Sequence, residues 1–101
     1  MRIVYTREAQ EDLAALREYY EPRTPISLQH IVRDIISVVD DLPKSLSKGR
    51  RTPHPDVWEK LTPQYKYLIP HFVDNGVLYI LRVYAPGRKP LKYHSILKLD
   101  E

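Results

Sequence analysis

Residues 65–84 read YKYLIPHFVDNGVLYILRVY. Two runs rich in aromatic and β-branched residues, Tyr65–Val73 and Val77–Tyr84, flank Asp74-Asn75-Gly76. Asn-Gly supplies the positive φ angles that a tight turn between twisted strands requires, so the stretch predicts an antiparallel hairpin. Val77–Tyr84 is the strongest strand signal in the chain. Pro70 has no N–H to give to a ladder, which predicts a bulge, a bend or an edge at that point.

Upstream, Asp56–Thr62 carries Val57, Trp58 and Leu61 and reads as a further strand, making a three-stranded meander with the hairpin. Before it, Pro43–Pro55 (PKSLSKGRRTPHP) has no helical period and many turn formers, as in a long loop suited to binding. Earlier still, Leu28, Ile31, Ile35, Val38 and Leu42 mark one helix face, widened by Val32, Ile36 and Val39. An apolar face that broad needs a sheet or another helix to cover it. Thr24-Pro25 is a cap followed by proline at the first helical position. Ala9, Leu13, Leu16 and Tyr20 form the stripe of a first helix, opened by Thr6 as N-cap and Glu8 in the first turn and ended by Pro22. The short link between the helices implies an antiparallel helical hairpin. Arg2–Tyr5 is a short β-prone run. The expected fold class is α+β: an N-terminal β-strand, an antiparallel helical hairpin, then a three-stranded antiparallel meander with the helices packed on one face of the sheet. A chain of 101 residues suits a single domain over 1–101.

Apolar residues at 43% and charged residues at 29% fit a globular protein rather than a disordered one. No run is apolar enough for a membrane span. The opening MRIVYTREAQED reaches acidic residues too early for a secretory leader, so a cytoplasmic setting without membrane partners is expected. With no cysteine, disulfides and thiolate metal sites are excluded. The net charge of +3 hides an asymmetry: residues 1–43 carry five Lys/Arg against eight Asp/Glu, whereas residues 44–98 carry eleven against three. If the basic stretches meet in the fold, they present a positive surface to phosphate or to an acidic protein.

The order of elements and several short motifs resemble the RelE/ParE toxin superfamily. They are Thr6-x-x-Ala9 with Asp12-Leu13, Leu42-Pro43, Gly49-Arg50 and Ile80-Leu81-Arg82-Val83, and the resemblance spans nearly the whole chain. It implies the toxin of a type II toxin–antitoxin (plasmid stabilisation) system, with a cognate antitoxin protein as partner and no cofactor. One branch of the superfamily cuts messenger RNA on the ribosome without a metal; the ParE branch inhibits DNA gyrase. Ile80–Val83 followed by a turn and Arg88 is closer to the ParE pattern. Where that pattern continues through a histidine and an Arg-Asp pair, this chain has Tyr84-Ala85-Pro86-Gly87-Arg88-Lys89.

Cleaving RNA requires a base for the ribose 2′-hydroxyl, an acid for the leaving oxygen and cations for the charge that develops. Arg82, Tyr93 and His94 are the catalytic candidates on the ribonuclease reading, His94 because it exchanges protons near neutral pH. Lys48, Arg50, Arg51, Lys60, Lys66, Arg88, Lys89 and Lys92 are candidates for contact with target or antitoxin. Lys60 and Lys66 would share one groove if their strands pair. Arg82, expected on a strand beside Leu78 and Ile80, could equally pair with an acidic residue. Trp58 and the tyrosines invite base stacking, but strand propensity alone places Tyr65, Tyr67, Tyr79 and Tyr84, and core packing is the preferred reading. Histidines at 30, 54, 71 and 94 form no pair at helical ligand spacing, so no metal site is expected. The leading expectation is a ParE-like gyrase inhibitor neutralised by its antitoxin. The alternatives are a RelE-like mRNA endoribonuclease acting on ribosome-bound message, and a non-toxic RNA-binding or degenerate member.

Overall fold

The computed structural model describes residues 1–45 and 48–85. After strand β1 (Arg2–Tyr5), Thr6 starts helix α1 (Arg7–Tyr20). Its Oγ1 accepts the Ala9 N–H at 3.2 Å, satisfying one orphan donor of the helix, and donates to the Leu81 carbonyl at 2.9 Å. Thr24 accepts from Ser27 N at the start of helix α2 (Pro25–Asp41), with Pro25 in the first turn. Strands β2 (Arg50–Arg51), β3 (Trp58–Leu61), β4 (Leu68–Asp74) and β5 (Val77–Ile80) complete one sheet in the order β1-β5-β4-β3-β2.

The expected meander is present as β3-β4-β5, and two further strands extend it. β1 pairs in parallel with β5, Ile3 beside Leu78, so the chain's beginning lies against its strongest strand. Within the stretch read as a loop, Arg50 and Arg51 pair antiparallel with Glu59 and Trp58. Gly49 makes this possible: at φ +94 it lies so close to β3 that an added Cβ would stand 1.9 Å from the Glu59 carbonyl oxygen. The Asp74-Asn75-Gly76-Val77 turn is as expected, with Asn75 at φ 50 and Gly76 at φ 74, and Asp74 opposite Val77.

Pro70 sits opposite a bulge. His71 faces Ile80, but Leu68 faces Tyr84, so Leu81, Arg82 and Val83 stand opposite only Ile69 and Pro70. Regular pairing of β5 therefore ends at Ile80, short of the expected Tyr84. The extra residue returns Val83 to the helix side of the sheet, where it packs with Ile69, Leu78, Ile80, Ala9, Ile31, Ile35, Val39 and Leu42. Leu81 faces the other way, joining Val57 and Phe72, with Phe72 stacked on Tyr79 at 5.0 Å between ring centres.

The helix stripes meet this core much as their spacing implies: Leu13, Leu16, Tyr20 and Val38 pack against it from its edge. Leu28, Val32 and Ile36, the outer part of the wide α2 face, stay outside the core and line a groove against α1, with Ile36 46% exposed. A buried carboxylate ties α2 to the sheet. Asp34 Oδ2 accepts the backbone N–H groups of Gln64 at 3.1 Å and Tyr65 at 2.8 Å, holding the turn between β3 and β4.

Candidate functional site

Lys48, Arg50, Arg51 and Lys60 converge on the β2–β3 end of the sheet. Lys48, Gly49, Arg50 and Arg51 are all exposed. Because neighbouring strand residues point to opposite faces, the two arginines divide. Arg50 Nε donates to Glu59 Oε1 at 2.8 Å on the face away from the helices. The Arg51 guanidinium lies 4.8 Å from the Trp58 ring centre on the helix side, with Lys48 Nζ at 5.8 Å from the same ring. Lys60 lies on the helix side too, lining a hollow with Ser37, Val38, Asp41 and Leu42 at the end of α2.

Beneath these cations lies His71, 3% exposed, with Nδ1 against the Ile69 carbonyl at 2.9 Å. Burial depresses its pKa below the usual imidazole value, and the positive charges of Lys48 and Lys60 push the same way. On the far face, Glu59, 8% exposed, is joined to Arg50 and lies beside Tyr84. Burial, and then the Glu59 charge, raise the Tyr84 pKa, so its phenol stays protonated.

Arg82 is drawn elsewhere. Its Nε donates to Asp12 Oδ2 at 2.6 Å and its NH2 to Asp12 Oδ1 at 2.9 Å, a two-pronged ion pair. The hydrogen bonds to Asp12 raise the Arg82 pKa further, so the guanidinium stays charged. Asp12 Oδ2 also accepts the Val83 N–H at 2.9 Å, a donor that the bulge leaves without a strand partner. One carboxylate on α1 thus fastens the irregular end of β5.

The remaining surface of note is the groove between α1 and α2, about 680 Å³, floored by Leu13, Leu28, Val32 and Ile36 and rimmed by Arg17 and Arg33.

A sequence profile for the ParE toxin of the type II toxin-antitoxin system, parDE, matches residues 3–89. The chain belongs to the ParE toxin family. Among solved structures, the chromosomal ParDE TA system from P. aeruginosa is similar to it, with a TM-score of 0.73 and 26% identity over 84% of this chain and 95% of that one. No curated protein matches the chain.

Several expected site residues occupy different places in this ParE-family fold. Arg82 lies beyond the end of β5 at Ile80 and takes the alternative course expected of it, pairing with an acidic residue, Asp12. Lys60 and Lys66 do not share a groove: Lys60 is on β3, whereas Lys66, at φ 59, lies in the turn before β4. Arg88, Lys89, Lys92, Tyr93 and His94 lie outside the described residues. Asp12, Asp34, Glu59 and Tyr84 are polar groups whose contacts the sequence reading does not anticipate; Glu59 has a local signal, as one of only three acids in the basic stretch 44–98. Among the described residues of the ParE-family chain, no helix is long and apolar enough to cross a membrane.

Proposed function

We propose that the chain is a growth-inhibiting toxin that binds DNA gyrase and is held inactive by a cognate antitoxin, whose amphipathic helix covers the groove between α1 and α2. The groove is the observation that carries the antitoxin half of this reading. Leu28, Val32 and Ile36 form an apolar strip that, among the described residues, lies outside the core against the sheet, and Arg17 and Arg33 at its rim suit an acidic helix. The similar structure from P. aeruginosa is that of a ParDE TA system, which supports such a partner.

For the target, protein binding is favoured over RNA cleavage. Arg82, the candidate catalytic cation, is held by Asp12 through two of its guanidinium nitrogens, and its charge serves the join between α1 and the bulge. A ribonuclease reading finds its best support on the far face of the sheet, where the Glu59 carboxylate, the Arg50 guanidinium and the Tyr84 phenol are neighbours. There Glu59 would serve as base, with the other two as charge stabiliser and proton donor. Controlled expression separates the two. A gyrase inhibitor changes plasmid supercoiling while messages stay intact; a nuclease cuts translated messages and leaves supercoiling alone. Co-expression of the antitoxin restores growth on either reading, and failure of any neighbouring reading frame to do so would count against both.

A further inference from the structure

β2 is the last strand in the sheet, and among the described residues no strand lies beyond it. An edge strand offers a row of backbone N–H and C=O groups that can pair with another chain. This one is marked by charge: three of the four residues Lys48–Arg51 are cationic and all four are exposed. Arg50 already has Glu59 as counter-ion, but neither Lys48 nor Arg51 meets a carboxylate among the described residues. Gly49, forced against the Glu59 carbonyl, brings the chain onto β3, so Arg50 and Arg51 are held as a strand before anything binds. That removes part of the ordering cost a partner would otherwise meet.

We propose that the Lys48–Arg51 edge accepts an extended acidic segment of a protein partner as a sixth strand, with the partner's carboxylates meeting Lys48 and Arg51. The surface is separate from the helix groove assigned above to the antitoxin helix, and the two stand or fall independently. A second copy of this chain is a poor occupant, since pairing like edges would oppose arginine to arginine. Nucleic acid is also disfavoured. The Trp58 ring that a base would need for stacking is already covered by Arg51 and Lys48. An acidic strand, by contrast, uses both the cations and the free backbone edge.

Trp58 is the chain's one tryptophan, so its fluorescence reports on this edge directly. The full chain is titrated with a capped peptide of alternating glutamate and threonine. Two controls accompany it: the same peptide N-methylated at alternate residues, which keeps its charge but loses the strand bonds, and oligothymidylate. Saturable binding of the plain peptide is expected, weakened at least about tenfold by N-methylation and by the double variant K48E/R51E. Arg2→Glu on the opposite edge and Val32→Glu in the helix groove should leave it unchanged. Equal binding of the methylated peptide, tighter binding of oligothymidylate, or no saturable signal would overturn the proposal. Circular dichroism of K48E/R51E, expected to match the parent, guards against loss of fold.

Discussion

Asp12 illustrates how much one side chain can settle. It accepts from Arg82 twice and from the Val83 N–H once, and it is itself largely buried. Asp12→Ala would leave a guanidinium and a backbone donor without partners at a largely buried site, which should cost about 2–3 kcal/mol. Chemical denaturation would show it; a loss below about 0.5 kcal/mol would mean the clamp is ornamental. His71 makes a second residue-scale prediction. Its folded pKa is depressed, chiefly by burial, so the unfolded chain binds the proton more readily. The stability linked to His71 is therefore complete above the unfolded value of about 6.5 and is lost as pH falls from there through the depressed folded value. Comparing unfolding midpoints at about pH 7.5 and pH 5 in the parent and in His71→Gln should show a shallower acid loss in the variant. Equal slopes would assign the loss to other groups.

At the scale of elements, Gly49 and the bulge decide what the sheet's two ends look like. Any side chain at position 49 meets the Glu59 carbonyl and a φ that L-residues resist, so Gly49→Ala should detach β2 while leaving β4 and β5 intact. Hydrogen exchange would then quicken at Glu59 and Arg50 but stay slow at Leu78 and Ile80; uniform protection would contradict this. The hairpin at Asn75-Gly76, the capped starts of both helices and their apolar stripes are legible in the sequence, because each depends on residues within a few positions of one another. Pro70 likewise signals an irregularity, though not that its partner strand carries the bulge. What escapes depends on distant pairing. Nothing local to Arg50-Arg51 marks a strand, since β2 exists only through the close approach of Gly49 to β3. Nor does anything near Arg82 announce Asp12, seventy residues away. Lys60 and Lys66 share a groove only if the second β-like run is paired from its start at Tyr65, where the chain in fact turns to meet Asp34.

For the whole molecule, the question is which apolar surface serves folding and which is left over. Adjacent residues of α2 separate the two. Ile35 is 1% exposed within the core shared by both helices and the sheet, whereas Ile36 is 46% exposed on the groove. A core isoleucine cut to alanine leaves a cavity that costs about 2–5 kcal/mol, which is a large share of a small domain's stability. A change at a half-exposed position outside the core of the described residues should stay within about 0.5 kcal/mol. Ile35→Ala should therefore lower the unfolding temperature markedly and reduce toxicity only by depleting folded protein. Ile36→Glu should unfold like the parent and remain toxic, yet escape neutralisation, because its new charge would be buried against an acidic helix. Thermal unfolding, growth inhibition and co-purification with the antitoxin, measured on both variants, make the comparison. If Ile36→Glu is stable, toxic and still neutralised, the groove is not where the antitoxin binds, and the exposed strip on α2 would need another partner.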